Sequence, residues 1–468
     1  MEMSDFLVDE LISKVSEGSN WEALNRAAKT SRYCSRPIHL APASHLLDGD
    51  IASAVLGLKP DNYQGLYSKA CGSRRHNLCP SCSKIYKGDA RQLIGSGLIG
   101  GKGISEEVSN HPQIFATLTA PSFGPVHRSI SSAGKPERCH PGPRSYCPHG
   151  MTLSCTERHR ENDEIVGSPL CPECYDYKGA VIWNAMSTKA WQRTTIYLRR
   201  ELAKLMGISE AELKKLVRIS YVKVIEFQRR GLIHLHIVIR ADDPENVELK
   251  PSISISTDKL ELAFRLAVKR VKVPVEFGEE KRVITWGEQI DTRAIEPGSN
   301  GPGSTKAVAN YLAKYATKSA TESAGFEKRF KDAGQIELAK ASPHLRKMAQ
   351  TAWELGQDPN YSSLNLAMWA HDLGHRGHFL TKSRRFSVTF KYLREIRSNW
   401  QAAEHMEHQE YQDNDGFFGS EVELIFVGQG WLCAADAYWA SKLRADHEEA
   451  RVLAWEQFME ERELEGMW

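Results

Sequence analysis

The segment of sequence that decides the fold is residues 231–239, which read Gly-Leu-Ile-His-Leu-His-Ile-Val-Ile. In a β-strand, side chains two residues apart project from the same face of the sheet. The imidazoles of His234 and His236 are therefore predicted on one face, and the alternating Leu and Ile side chains on the other face, in the core. Two histidines on one strand face provide half of a metal site.

The residues before this strand complete a predicted β-hairpin. Residues 221–240 read as two strands around a turn at residues 229–231, and a three-residue turn places Glu226 opposite His234. A carboxylate then joins the two imidazoles, in a set that suits Mg²⁺ or Mn²⁺ with open coordination positions, with Gln228 as a reserve ligand. A His-x-His pair alone is more often a surface pair, so the prediction of a catalytic cation depends on Glu226.

A second segment carries candidate nucleophiles. Within a helix predicted over residues 305–320, Tyr311, Lys314, Tyr315 and Lys318 follow helical spacing and share one face. A tyrosine hydroxyl beside a metal-bound phosphate and an ammonium group can attack phosphorus and form a phosphotyrosine. The alternative is structural: the tyrosines pack against the sheet and the lysines extend to water.

The ten cysteines are expected to bind metal rather than to form disulfides. Residues 67–177 contain too few periodic apolar residues to fold by burial alone, and bound metal would supply the missing stability. Two structural zinc sites are predicted because close Cys-x2-Cys pairs present two thiolates from one turn. The first consists of Cys34, Cys71, Cys79 and Cys82. The second consists of Cys171, Cys174 and two ligands from a neighbouring pool, assigned to Cys147 and Cys155, with Cys139, His140, His149 and His159 interspersed.

Composition and charge narrow the class of protein. The chain has 468 residues, of which 41% are hydrophobic and 26% are charged, enough for two or three domains. With no apolar run long enough to span a bilayer and no secretory signal at the start, we expect no membrane association and a cytoplasmic location. Residues 399–468 carry a net charge of −12 and the preceding residues +14. A basic body is typical of nucleic-acid-binding proteins, although a solvated surface with an acidic tail has the same balance.

The order of predicted elements favours an α+β fold. Helices are predicted over residues 6–29, 183–216, 259–272, 305–320 and 436–465, and strands over residues 114–119, 221–240, 282–293 and 379–393, with a loop at residues 297–303. Such an irregular order argues against a doubly wound sheet. The predicted domains are a helical and loop segment (1–66), a Cys/His-rich zinc-binding region (67–180), a catalytic core (181–398) and an acidic helical tail (399–468).

Several motifs together resemble a known family. Three are residues 115–119 (Phe-Ala-Thr-Leu-Thr), residues 226–236 with their His-x-His, and the doubled Tyr-x-x-Lys. Two more are the block from Cys71 to Cys82 and the basic block at residues 377–385. Their order resembles that of HUH endonucleases, and more narrowly of rolling-circle replication initiators from actinobacterial plasmids and integrative elements of the Streptomyces type. The resemblance covers most of residues 33–400.

The resemblance implies a fold, an activity and partners. The fold would be an HUH-type antiparallel sheet with flanking helices. The activity would be binding of a double-strand origin and nicking of one strand, with a tyrosine attached to the 5′ end and a 3′ hydroxyl left as primer. Host helicase and DNA polymerase would be further partners. The basic residues expected to contact DNA are Arg229, Arg230, Lys382, Arg384 and Arg385.

Two other functions remain open at this point. A relaxase or transposase of the same chemistry would share the site and differ in the DNA that it processes. A noncatalytic zinc-dependent DNA-binding regulator would need only the cysteines and the basic body. The sequence does not distinguish which of Tyr311 and Tyr315 attacks first.

Overall fold

The computed structural model describes residues 21–43, 63, 66–132, 135–295, 304–317, 326, 328–409 and 423–464. These residues form two compact units, one from residues 1–88 and 399–468 and the other from residues 89–398. None of the described helices is both long and apolar enough to cross a membrane.

The described strands, in chain order, are β1 (Ile38–Pro42), β2 (Tyr67–Lys69), β3 (Gln113–Thr119), β4 (Ser131–Ser132), β5 (Lys135–Pro136), β6 (Arg218–Phe227), β7 (Ile233–Asp242), β8 (Val273–Phe277), β9 (Glu280–Ile284), β10 (Ile290–Ala294), β11 (Leu380–Lys382) and β12 (Leu424–Gln429).

The described α-helices are α1 (Trp21–Thr30), α2 (Pro80–Ile99), α3 (Tyr177–Met206), α4 (Glu210–Leu216), α5 (Thr257–Arg270), α6 (Thr305–Thr317), α7 (Gly334–Glu337), α8 (Pro343–Leu355), α9 (Phe390–Gln409) and α10 (Ala434–Leu464). Short 3₁₀ helices cover Glu106–Asn110, Pro359–Leu364 and Leu366–Asp372.

The larger unit is built on one antiparallel sheet with the strand order β10-β3-β7-β6-β11. Strands β6 and β7 form the predicted hairpin, and Glu226 lies opposite His234 as the three-residue turn requires. On one face, apolar side chains such as Leu235 and Ile237 are buried against α3 and α5. The other face carries the polar side chains Glu226, His234, His236 and Arg240, which alternate with the apolar set. The mixed helical and antiparallel architecture predicted from the sequence is present.

The smaller unit holds a three-stranded antiparallel sheet in the order β12-β1-β2. Strand β12 comes from the segment that the sequence analysis treats as an acidic tail, and it pairs with β1 near the start of the chain, with Leu40 opposite Phe426. Helices α1 and α10 contribute Leu24 and Ala440 to a small buried cluster with Trp431. Residues 399–468 are therefore an integral part of this unit.

Three predicted elements differ from the structure, one because of helix-capping residues and two because of buried aromatic residues. Residues 183–216 form two helices, since Gly207 adopts a φ of +71° and Ser209 caps α4 through a capping box with Glu212. Residues 282–293 form β9 and β10, separated by the buried Trp286. The predicted strand at 379–393 is wrong beyond Lys382: the chain turns so that Phe386 is fully buried, and α9 begins at Phe390.

Part of the sequence prediction lies outside the described residues. This applies to the helix before residue 21, the loop at 297–303, residues 318–320 with Lys318, and the last residue of the helix predicted to end at 465. The helix predicted over residues 259–272 is present as α5, and the described part of the helix predicted over residues 305–320 is present as α6.

A buried ion pair lies at the end of the hairpin. Arg240 and Asp242 are both fully buried, with Arg240 Nε 2.5 Å from Asp242 Oδ1. His111 Nδ1 lies 2.8 Å from the same carboxylate oxygen, and the guanidinium also donates to the carbonyl of Phe386 at 3.3 Å. This cluster joins the end of β7 to His111, which precedes β3, and to Phe386, which follows β11.

We expect Asp242→Ala to lower the free energy of unfolding by about 3–5 kcal/mol, because removing one partner leaves Arg240 as an uncompensated buried charge. Urea unfolding followed by circular dichroism measures this change. Glu395→Ala, which removes the exposed partner of Lys391, is the control and should leave the unfolding midpoint unchanged. An Asp242→Ala protein as stable as the parent would contradict this account of the cluster.

Candidate active site and metal centres

The hairpin brings a carboxylate and two imidazoles together on the polar face of the sheet. His236 is 2% exposed, and its Nε2 lies 3.2 Å from Glu226 Oε2. The rings of His234 and His236 are 4.6 Å apart between centroids. On the other side of β7, Thr119 of β3 lies opposite His234. The same-face arrangement predicted from the two-residue strand period is therefore present.

Helix α6 lies against this face and carries both candidate tyrosines to it. The ring centroid of Tyr315 is 4.6 Å from that of His236, and the centroid of Tyr311 is 5.2 Å from the same imidazole. The two tyrosine rings are 4.6 Å apart, and Phe115 of β3 completes the aromatic cluster. Leu312, the next residue along the helix after Tyr311, is fully buried. The two tyrosines thus pack against the sheet and also lie beside the histidines, so the structural and the catalytic interpretations of this helix face are compatible.

Charged groups surround the aromatic cluster. The guanidinium carbon of Arg293 lies 4.8 Å from the Phe115 ring centroid, and Lys314 Nζ lies 5.9 Å from that of Tyr315. Burial, together with the hydrogen bond to Tyr315, raises the pKa of Tyr311 above its usual range. The hydroxyl of Tyr311 is therefore protonated at neutral pH, and any reaction at its oxygen requires nearby positive charge or a base.

His234 has the protonation state that a metal ligand needs. Burial, reinforced by the neighbouring His236, lowers the pKa of His234 to about 4. The Nδ1 atoms of His234 and His236 are buried and have no hydrogen-bond partner among the described residues. A neutral imidazole with an unsatisfied nitrogen is a suitable cation ligand. The donor atoms of His234, His236 and Glu226 do not, however, form one of the described groups in which all ligand atoms lie within 4.8 Å of one another.

Asn184 of α3 fixes the turn end of the hairpin, a role that the sequence did not reveal. Its amide nitrogen donates to the carbonyls of Gly231 at 2.9 Å and Leu373 at 3.0 Å, and its oxygen accepts from the backbone N–H of Ile233 at 3.2 Å. The side chain is fully buried. An asparagine within a long amphipathic helix has no local signal that marks this role.

His344 of α8 binds the same turn. Its Nε2 lies 3.1 Å from the carbonyl oxygen of Arg230, and its Nδ1 lies 3.2 Å from the hydroxyl of Tyr177. Burial lowers the pKa of His344 to about 4. The imidazole is neutral when it supports the turn.

The two arginines of the turn bind protein groups. Arg230 donates to Gln228 Oε1 at 2.9 Å and to the carbonyl of Ala120 at 3.0 Å, just beyond β3. Arg229 is exposed, and its guanidinium donates to the carbonyl of Asp163 at 3.0 Å. Gln228, the reserve cation ligand, is thus already engaged, and both arginines hold neighbouring loops in place.

A cavity of about 1290 Å³ opens onto the histidines and tyrosines. Its lining includes Glu226, His234, His236, Tyr311 and Tyr315. The loop before the hairpin contributes Glu161, Asn162, Glu164, Ile165 and Val166, and the segment at the start of α8 contributes Lys340, Ala341, Ser342, Pro343 and Leu345. The cavity is large enough for several nucleotides of an extended strand.

A second, smaller cavity of about 300 Å³ has a basic lining that includes Arg199, Lys214, Arg218, Arg384 and Arg385. Arg384 and Arg385 are exposed. Lys382 instead donates to the carbonyls of Arg384 at 3.1 Å and Ser387 at 2.7 Å, and burial lowers its pKa to about 8. Lys382 therefore holds the turn that presents the two arginines.

The first predicted zinc site is assembled in the smaller unit. Cys34, Cys71, Cys79 and Cys82 lie together, with sulfur–sulfur distances of 3.6 Å for Cys34–Cys79 and 3.7 Å for Cys71–Cys82 and Cys34–Cys82. Four thiolates at Zn–S distances of about 2.3 Å occupy a tetrahedron with edges of about 3.8 Å. The group could hold a metal ion, and its geometry is consistent with zinc.

The second predicted site is present with one ligand corrected. Cys147, Cys171 and Cys174 are joined by His149, whose Nδ1 lies 3.3 Å from Cys174 Sγ and 3.8 Å from Cys171 Sγ. Cys155, which the sequence analysis places in this group, belongs instead to a separate group with His127, Cys139 and His159. Apart from Cys155 and His159, which are 4 residues apart, the members of this group are separated by 12 to 32 residues and lack the Cys-x2-Cys spacing that reveals a zinc site in a sequence.

Comparisons with known proteins show the family to which the chain belongs. Residues 20–445 match the family model RepSA, described as "Replication initiator protein, pSAM2". Over 376 residues, the chain is 38% identical to a replication initiator protein from Streptomyces ambofaciens, a match that covers 79% of this chain and 76% of that relative. No solved structure matches the chain.

The class of protein is therefore that of replication initiators. The chain belongs to the RepSA replication initiator family, and the family membership inferred from its motifs is confirmed.

We expect stability to fall by up to about 3 kcal/mol between pH 6.5 and pH 4 through His344 alone, because the unfolded state takes up a proton there that the folded state excludes. Well above pH 6.5 the imidazole is neutral in both the folded and the unfolded state and contributes no pH dependence. In urea unfolding across this range, His344→Gln should show a shallower decline than the parent. His378→Gln, at an exposed position, is the matched control. A decline as steep in His344→Gln as in the parent would rule out this role.

Proposed function

We propose that this replication initiator binds the double-strand origin of a plasmid or integrative element and nicks one strand by tyrosine transesterification. The product would carry a 5′-phosphotyrosyl bond to the protein and a free 3′ hydroxyl that primes rolling-circle replication. The observation that supports this most directly is the placement of Tyr311 and Tyr315 within 5.2 Å and 4.6 Å, centroid to centroid, of the buried His236 imidazole.

In the proposed reaction, a tyrosine oxygen forms a bond to the scissile phosphorus and loses its proton. The bond between phosphorus and the 3′ oxygen breaks, and that oxygen is protonated. The phosphotyrosine conserves the energy of the phosphodiester, so that a second attack can release the strand. Because Tyr311 and Tyr315 are adjacent on one helical face, one can cleave while the other acts in a later transfer.

We infer that His234, His236 and Glu226 hold Mg²⁺ or Mn²⁺. When bound, such a cation would polarise the phosphate and offset the charge that develops at the attacked phosphorus. The buried Nδ1 atoms of both histidines, which have no hydrogen-bond partner among the described residues, and the lowered pKa of His234 fit this role. Their donor atoms are not within 4.8 Å of one another together with the carboxylate, so binding requires a small side-chain adjustment. Lys314, beside Tyr315, would offset further negative charge.

The arrangement of the sheet supports an HUH-type fold for the larger unit. A His-hydrophobic-His strand lies at the centre of an antiparallel sheet, and a helix with two tyrosines packs against its polar face. For contacts to duplex DNA, the best-supported surface is the basic cavity that includes Arg384 and Arg385. Neutralising phosphates there would release counterions and favour binding.

Two alternative functions would depend on different features of the protein. A relaxase or transposase would employ the same residues on different DNA, and membership of the RepSA family favours initiation of replication. A noncatalytic regulator would leave the paired tyrosines and histidines at the large cavity without a purpose. Host helicase and DNA polymerase follow from the proposed role as partners of the nicked origin.

We expect Tyr311→Phe and Tyr315→Phe to retain origin binding, with at least one losing covalent attachment and the double variant losing it entirely. The assay incubates protein with Mn²⁺ and a labelled single-stranded origin oligonucleotide and measures the adduct on denaturing gels. Mass spectrometry should locate the nucleotide on a peptide that spans residues 310–318.

Tyr392→Phe, an exposed tyrosine on α9, controls for the loss of a hydroxyl and should form adduct normally. Cleavage without any adduct would require a water nucleophile and a different enzyme class. An adduct on another residue would displace both tyrosines from the proposed role.

We expect His234→Ala together with His236→Ala to abolish adduct formation while duplex origin binding remains largely intact, because most affinity comes from phosphate contacts elsewhere. His378→Ala is the control for an exposed histidine. Adduct formation at the parent rate in the double variant would remove these histidines from the mechanism. Parallel binding measurements show whether a loss of adduct reflects chemistry or affinity.

A further inference from the structure

We propose that His127, Cys139, Cys155 and His159 form a third zinc site, which holds residues 160–168 in place as one wall of the cavity that contains the tyrosines. The assignment of the metal site stands on its own geometry. The role of the wall in catalysis rests on the proposed function.

The four side chains have the geometry of a tetrahedral site. His127 Nδ1 lies 3.2 Å from His159 Nε2, Cys155 Sγ lies 3.4 Å from the same nitrogen, and Cys139 Sγ lies 3.8 Å from His127 Nδ1. Two imidazoles and two thiolates around zinc, at about 2.0–2.1 Å and 2.3 Å, give edges of about 3.3–3.8 Å. Both cysteines and both histidines are at most partly exposed.

A carboxylate supports one of the proposed ligands. Asp163 Oδ2 lies 3.8 Å from His159 Nδ1, the ring nitrogen that does not face the cluster. The same carboxylate oxygen accepts the backbone N–H of Arg160 at 2.8 Å. Imidazoles that bind zinc commonly present their second nitrogen to a carboxylate, which fixes the ring orientation.

The loop that follows His159 is closed at both ends by proposed ligands. The backbone N–H of His127 donates to the carbonyl of Ser168 at 2.8 Å, and the carbonyl of His127 accepts from the N–H of Gly167 at the same distance. Residues 160–166 therefore extend between one ligand, His159, and the backbone partners of another, His127. A metal that joins these two ligands fixes the two ends of the loop.

The far side of this loop packs directly on the catalytic hairpin. Arg229 donates to the carbonyl of Asp163, and Gly167 has a φ of +92° with its Cα hydrogen directed at the turn. A Cβ at Gly167 would lie 2.5 Å from the carbonyl carbon of Arg229. The two backbones are thus in contact, and the loop is connected to the turn that sets the position of Glu226 and His234.

The chemistry of the loop suggests how it acts on a DNA strand. Glu161, Asn162 and Glu164 line the cavity together with His236 and both tyrosines. Carboxylates repel phosphates but accept hydrogen bonds from the amino groups of bases. A wall of this composition would direct the phosphate backbone toward the tyrosines and the bases toward the loop.

The first part of the test is metal content in the full-length protein. Purified without chelator, the parent should contain three zinc ions per chain by elemental mass spectrometry. Cys139→Ser with Cys155→Ser should contain two, because the Cys34 and Cys147 groups remain. Cys433→Ser, which removes the cysteine outside all three groups, should contain three. Equal zinc content in the parent and the double variant would overturn the metal site.

The second part measures the loop without DNA, by hydrogen exchange. Residues 160–168 should exchange at least about tenfold faster in the double variant, while α3 keeps the protection of the parent. Arg229→Ala retains all four ligands and should keep three zinc ions but still loosen the loop, so the test does not depend on the folding of the cysteine variant. Unchanged exchange of residues 160–168 in both variants would overturn the role of the wall.

The third part links the wall to the proposed reaction. Adduct formation should fall about 10- to 100-fold in the double variant and stay at the parent level in Cys433→Ser, because a misplaced strand reacts slowly. If the parent itself forms no adduct, the proposed function fails, while the zinc and exchange results still decide the site. If the double variant reacts at the parent rate, the wall does not position the strand.

Discussion

The register of the β6–β7 hairpin is the constraint on which the rest of the larger unit depends. Because side chains alternate along a strand, a slip of one residue would move His234, His236 and the apolar side chains between them to the wrong faces. The register is held at the turn by two groups from distant parts of the chain, the Asn184 amide and the His344 imidazole, and by the turn's own Arg230, whose guanidinium binds the carbonyl of Ala120. These side chains bind the carbonyls of Arg230, Gly231 and Ala120 and the backbone N–H of Ile233. The position of the site is therefore set by tertiary contacts to the backbone.

The central sheet has two faces with different energetics. One face is apolar and supplies stability by burial against α3 and α5. The other face carries ionisable groups that lose hydration, and two of them have a specific partner: Arg240 pairs with Asp242, and His236 with Glu226. Burial on this face lowers the pKa of His234 and raises that of Tyr311. The proposed reaction at the Tyr311 oxygen would therefore require positive charge nearby.

Segments that cannot bury an apolar face are organised around sulfur and imidazole donors. The groups at Cys34 and Cys147 and the group at His127 each join residues that are far apart in sequence, over stretches with almost no regular structure. Ligand bonds can replace a hydrophobic core in such segments. In the larger unit, this places irregular loops directly beside a rigid sheet, and a loop fixed in this way can line a reaction cavity with little motion.

Local patterns in the sequence were enough to predict several features. Strand alternation predicted the hairpin with Glu226 opposite His234, and helical spacing predicted the shared face of Tyr311 and Tyr315. Close cysteine pairs predicted the Cys34 group. Such patterns failed at residues 383–393, where burial of Phe386 overrides β propensity, and at Cys155, whose partners lie up to 28 residues away. Only the tertiary structure decided that Asn184 and His344 hold the turn, that β12 pairs with β1, and that His127 joins a metal group. These facts depend on contacts between residues remote in sequence, and no periodicity or motif encodes such contacts.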